Sequence, residues 1–110
     1  MAEFPPQMQK RIDEGMGCGS DLPDGWAQLV IELDEKLSKL YPDYKIDQVK
    51  EKFGGLRYYV KGVDKEGRKL IDEAEYKSGQ TCIYCGEPGK TGRSVHGWTV
   101  TACEKHMNGE

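Results

Sequence analysis

Two short residue pairs carry the strongest chemical signal in this sequence. Cys82 and Cys85 are separated by two residues, and so are Cys103 and His106, with seventeen residues between the pairs. Two thiolates at this spacing can grip one ion from a single tight turn, and a thiolate–imidazole pair can close the tetrahedron from a second segment. Gly86, directly after the first pair, gives the backbone the freedom to turn under a metal. A disulfide framework has no need of this spacing. The pattern therefore predicts one structural zinc ion per chain, held by Cys82, Cys85, Cys103 and His106 with no position left open for substrate. His96 is the weaker alternative to His106, because it stands beside Gly97 in an expected turn. Cys18 lies alone in a glycine-rich stretch and falls outside the set.

A second group lies in the middle of the chain. Residues 44–63 carry five basic and two acidic side chains, a balance of +3, whereas residues 1–43 carry four basic and nine acidic ones, a balance of −5. Residues 64–79 sum to −1 and residues 80–110 to zero, so the central segment is the only positive one. Strand alternation places Lys50 and Lys52 on one face, with Arg57 crossing beside them. Backbone amides at Gly54 and Gly55 are expected to add an anion nest, and Tyr59 a ring for stacking. The predicted ligand site is thus Lys50, Lys52, Gly54, Gly55, Arg57 and Tyr59, for a phosphate or nucleotide. A solvated strand face guarded by lysines is the bland alternative.

The elements that must position these groups follow from periodicity. Residues 1–20 read as a flexible arm with at most a short helix near Gln7–Glu14, since Pro5-Pro6 and Gly15, Gly17 and Gly19 disfavour regular structure. Trp26, Leu29, Val30, Leu33, Leu37 and Leu40 recur at helical intervals, with Asp24 as the expected N-cap and Tyr41-Pro42 as the stop. Glu32, Asp34, Glu35, Lys36 and Lys39 are assigned mainly to the solvent side. Two strands follow, Lys45–Lys52 and Leu56–Lys61, turning at Phe53-Gly54-Gly55 with the glycines supplying positive φ. Val49, Glu51 and Phe53 would share the inward face with Leu56, Tyr58 and Val60. Asp64 caps a second helix to Ser78, with Leu70, Ile71, Ala74 and Tyr76 as contacts and Gly79 as the stop. Trp98, Val100 and Ala102 alternate like a strand between the ligand pairs. The expected fold is α+β: an α-β-β-α core over 21–79, then a zinc ribbon or treble-clef-like unit over 80–110 packed on it.

Composition narrows the function classes. With 110 residues, 32% of them charged and a net charge of −3, the chain fits one polar domain with a modest core. No apolar run is long enough to span a bilayer, and the first sixteen residues lack a signal-peptide pattern, so a cytoplasmic location is expected. The acidic balance argues against strong nonspecific DNA binding. There is no His-Glu pair of deaminase type, and Gly89-Lys90-Thr91 lacks the upstream glycine of a phosphate loop. A two-stranded sheet with open edges suggests a homodimer.

Several segments together carry a resemblance. Gly25-Trp26, Gln48-Val-Lys-Glu-Lys-Phe-Gly-Gly-Leu-Arg-Tyr-Tyr59, Cys82-x-x-Cys85-Gly-x-Pro-Gly89, Trp98 and Cys103-x-x-His106 resemble a group of small phage and prophage proteins of unassigned function. The resemblance covers about residues 18–106 and implies an accessory protein working in a bacterial host cytoplasm. The expected function is non-catalytic: binding and sequestering an anionic ligand such as a nucleotide or a host-defence signalling nucleotide, as a counter-defence. A host-protein-binding inhibitor and a nucleic-acid-binding zinc-ribbon protein are the alternatives. A zinc-scaffolded nuclease ranks below them, since only His96 would remain for catalysis once His106 binds metal.

Overall fold

The computed structural model describes residues 4–12, 22–95 and 97–108. In chain order these form α1 (Pro6–Gln9), a 3-10 turn (Asp24–Trp26), α2 (Ala27–Leu40), β1 (Lys45–Lys52), β2 (Gly55–Lys61), α3 (Lys65–Ser78), β3 (Lys90–Arg93), β4 (Thr99–Ala102) and α4 (Glu104–Met107). The protein is mixed α+β, with two separate two-stranded antiparallel sheets, β1-β2 and β3-β4. No described helix is long and apolar enough to cross a membrane.

The apolar stripe of α2 drives the main core. Trp26, Val30, Leu33 and Leu37 are buried against Ile46, Val49, Leu56 and Tyr58 of the first hairpin and Ile71 and Ala74 of α3. Leu40, at the end of the stripe, is instead half exposed. Asp24 opens the 3-10 turn, so the α-helix proper starts three residues later with no side-chain cap at its N-cap residue, Trp26. Asp64 does cap α3, its carboxylate accepting from the Glu66 amide at 3.0 Å. Gly67 lies in the first turn of α3. It is a close-packing point, because an added Cβ would lie 2.7 Å from Val63 Cβ and 2.9 Å from Tyr41 Cε2. Tyr76 points away from the core and is 71% exposed.

Three expectations change in the first sheet. The turn centres on Phe53 and Gly54, with φ of +52° and +86°, and Gly55 already pairs with Lys52. Two consecutive left-handed residues make the primed turn whose twist matches a two-residue hairpin. Phe53 therefore leaves the inward face and stands 74% exposed at the tip. Second, three outward amides of the sheet find partners in other segments. The Ile46 amide bonds the Arg11 carbonyl at 2.8 Å, and on the far edge the amides of Leu56 and Tyr58 donate to Ser78 Oγ and Glu75 Oε2. Third, residues 4–12 are docked rather than free: Met8 is fully buried, and Ile12 bridges Ile46. The rest of the expected arm, including Cys18, lies outside the described residues.

A buried polar network ties this segment down. Asp34, assigned from the sequence to the solvent side, is 1% exposed and pairs with Arg11 at 2.8 Å. The Tyr44 hydroxyl also donates to Asp34 and lies 2.8 Å from the Tyr58 hydroxyl. Burial pushes both phenols well above the ordinary tyrosine range, and the Asp34 charge adds to this. These groups therefore stay protonated and serve as hydrogen-bond donors.

Candidate metal centre and basic hairpin face

Cys82, Cys85, Cys103 and His106 converge: one ligand atom from each lies within 4.8 Å of all the others. The closest approaches are Cys103 Sγ to His106 Nδ1 at 3.2 Å, Cys82 Sγ to His106 Nδ1 at 3.5 Å and Cys85 Sγ to Cys103 Sγ at 3.8 Å. All three cysteines are free thiols. The four groups could hold one metal ion. His96, the alternative ligand, lies outside the described residues.

Local backbone geometry explains the convergence. The Cys82 amide donates to the Glu87 carbonyl at 2.7 Å and the Gly86 amide returns to the Cys82 carbonyl at 2.9 Å, closing the first pair into a tight turn. Gly86 takes φ of +79° there, which a side chain would oppose. Cys103 is the N-cap residue of α4, so His106 falls one turn on and faces back toward it. The Met107 amide bonds the Cys103 carbonyl at 2.8 Å and holds that turn. Val100 and Ala102 of β4 bury against Cys82, with Ile83, Cys103 and Met107 around them.

Electrostatics ready the site for a cation. Burial raises the Cys82 thiol, but the amides around it, those of Cys103, Cys85 and Tyr84, outweigh this and bring it down to about 6. Cys85 is lowered by the Glu87 amide, yet desolvation and the neighbouring thiols Cys82 and Cys103 leave it raised.

The unit that carries the Cys/His cluster is fastened to the core at Gly25-Trp26. The Gly25 amide donates to the Ile83 carbonyl at 2.8 Å, and Trp26 Nε1 donates to the Thr81 carbonyl at 2.9 Å. A Cβ at Gly25 would lie 2.0 Å from the Cys82 carbonyl oxygen, so the two backbones touch where only glycine fits. A second clasp joins the two hairpins, with Thr101 Oγ1 donating to the Gly54 carbonyl.

On the first hairpin, Lys50 stands directly opposite Arg57, and Gln48 opposite Tyr59. The Arg57 guanidinium folds back to the Leu56 carbonyl at 3.0 Å, over Gly55, where an added Cβ would approach Arg57 Nη1 to 3.3 Å. Lys50 Nζ lies 5.7 Å from the centre of the Tyr59 ring, and Lys52 Nζ 5.8 Å from that of Phe53. Among the described residues, no ion pair engages Lys50, Lys52 or Arg57. The expected glycine nest is altered. The Gly54 amide donates to Glu51 Oε2 at 2.7 Å, so the chain's own carboxylate already fills that place. Phe53 is the surface residue the sequence reading missed, and its place in a Phe-Gly-Gly turn was the available signal.

No protein-family model, curated protein or solved structure matches this chain.

Proposed function

We propose that this chain is a zinc-stabilised, non-catalytic binding protein whose outward β1–β2 face captures a phosphate-bearing ligand, a nucleotide in the simplest case. The observation that carries the reading is the cross-strand pair Lys50–Arg57, two cations directly opposite each other with no carboxylate between them. Like charges at such a position weaken a hairpin, so a purely structural sheet gains nothing from them. An anion lying between them reverses the sign of that interaction. Arg57 offers a planar fork for a phosphate and Lys50 a mobile point charge, with the half-exposed Tyr59 ring beside them.

Zinc fits the four converging ligands. Tetrahedral bonds of about 2.3 Å to sulfur and about 2.0 Å to nitrogen imply sulfur–sulfur edges of about 3.8 Å and sulfur–nitrogen edges of about 3.5 Å. The 3.8 Å Cys85–Cys103 and 3.5 Å Cys82–His106 separations have these lengths, and the 3.2 Å Cys103–His106 separation is about 0.3 Å short of its edge. A cysteine turn, a β-hairpin and a short helix that brings the second ligand pair give the unit a treble-clef-like order. Four protein ligands close the coordination sphere, so the metal's role is to fold the last third of the chain. Capture without turnover suits a sequestering, counter-defence role for an accessory protein of the kind the phage resemblance implies.

The test is calorimetric titration of zinc-loaded protein with ATP, GTP and cyclic dinucleotides, alongside Arg57→Glu. Binding by the native chain that weakens with salt and disappears in Arg57→Glu, at unchanged zinc content, supports the reading. Equal binding by both proteins, or none by either, refutes it.

A further inference from the structure

We infer that the natural occupant of the basic hairpin face is a single-stranded nucleic acid, laid along the strands with bases stacked on Tyr59 and Phe53. This rests on the reading of that face as an anion site and names the class of ligand it takes.

The cations form a row, not a pocket. Lys45 lies opposite Lys61 at one end, Lys50 opposite Arg57 in the middle, and Lys52 beside the turn. Lys61 is paired with Asp47 at 3.3 Å, and the other four have no ion-pair partner among the described residues. At about 3.3 Å per residue, the seven steps from Lys45 to Lys52 spread this charge over about 23 Å. One nucleotide would satisfy a single cross-strand pair and leave the rest of the row unused. A chain of evenly spaced phosphates matches the whole of it.

The rings point the same way. Phe53 is a bulky residue in the left-handed region at the hairpin tip, where asparagine or glycine is the comfortable choice. It is 74% exposed, so the core gains little from it. Backbone strain combined with an exposed apolar ring is a combination that folding alone does not select. Tyr59 is 41% exposed at the other end of the basic pair, and each ring has a lysine ammonium within 6 Å of its centre. Flat rings alternating with cations along a strand are the means by which proteins hold single strands without reading their sequence. An acidic peptide would use the cations and leave the rings idle.

The second hairpin extends the surface beyond the tip. Gly54 seats against Thr91 and Thr99, its Cβ position lying 3.1 Å and 3.4 Å from their methyl carbons. Arg93 pairs with Thr99 and so shares the β3–β4 face that receives the tip. The chain's net charge of −3 limits the contact to this tract, which suits a short single strand and disfavours a duplex.

The experiment is fluorescence anisotropy of the zinc-loaded full chain with labelled twelve-residue oligo-dT and oligo-rU, with ATP and poly-glutamate as competitors. Phe53→Asn is the informative variant, since asparagine suits the turn and only the ring is lost. The expected result is oligonucleotide binding far tighter than ATP, weakened by roughly 5- to 100-fold in Phe53→Asn. With three to four phosphate contacts, log K should fall against log salt with a slope of about −2 to −3. ATP binding as tight as the oligonucleotide, with Phe53→Asn unchanged, overturns this inference and leaves the nucleotide reading standing. Poly-glutamate competing as well as oligo-dT also overturns it, in favour of an acidic protein partner. No binding by any of these anions removes both readings together.

Discussion

Replacing Gly25 by alanine tests how the metal unit is fastened to the core. The new methyl would start 2.0 Å from the Cys82 carbonyl oxygen, 2.5 Å from the Ile83 carbonyl carbon and 2.7 Å from its oxygen. All three are backbone atoms, so no side chain can rotate away, and the two segments must part by roughly an ångström to restore contact distance. That movement breaks the 2.8 Å Gly25–Ile83 hydrogen bond and strains the 2.9 Å Trp26–Thr81 bond. Overpacking contributes about 1–3 kcal/mol and the lost hydrogen bonds about 1 kcal/mol each, for a total of about 3–5 kcal/mol. At about 4 °C per kcal/mol for a domain of this size, the midpoint of thermal unfolding should fall by about 12–20 °C. Far-UV circular dichroism of zinc-loaded protein measures it, with Gly79→Ala as the matched control. Gly79 has φ of −72°, and its Cβ position lies 3.4 Å from the nearest atom, so alanine there should be neutral or slightly stabilising. A Gly25→Ala midpoint within 2 °C of the native value, or an equal loss in Gly79→Ala, would refute the close-contact argument.

Three further outcomes are expected. Chelation, or Cys82→Ser, should unfold at least β3, β4 and α4, read as lost amide-exchange protection beyond residue 80; full protection in metal-free protein would sink the structural role of the ion. Asp34→Ala should cost about 3–5 kcal/mol in urea unfolding, because it strands the part-buried Arg11 guanidinium, whereas the double change Arg11→Met, Asp34→Leu should lose much less. A single-variant loss under 1 kcal/mol would show that the network carries no such energy. Asp64 is held below the usual carboxylate range, first by the Tyr41 hydroxyl and then by the Glu66 and Gly67 amides. Its folded pKa lies below its unfolded one, so its contribution is fully present above about pH 4 and is lost as pH falls through the lower folded value. Tyr41→Phe should move the Asp64 carboxyl titration upward by NMR, and an unmoved titration would discount the hydroxyl.

Much of this protein was legible from local pattern. The 3.6-residue stripe from Trp26 to Leu37 and the alternation of β1 and β2 came through because burial of one face imposes a period on the side chains. Lys45–Lys52 is β1 as expected, and Asp64 caps α3. The four ligands were legible for a related reason: coordination geometry constrains spacing within each pair, and spacing is a property of the chain. Less legible were the groups whose surroundings come from distant segments. Asp34 falls between Val30 and Leu37 at helical intervals, yet a carboxylate on that stripe reads as solvent-facing until Arg11 and Tyr44 are seen to meet it.

By itself the sequence determined α2, the first hairpin and α3 in their order, the paired Cys and His residues that converge, and the single basic segment, because each depends on residues within a few positions of one another. Tertiary structure alone decided that Asp34 meets Arg11 and Tyr44 in the core, and that Arg11, Glu75 and Ser78 supply partners to outward amides of the first sheet. It also decided that Gly25 is the contact point for the metal unit. Each of these joins groups far apart along the chain, so no local pattern announces it.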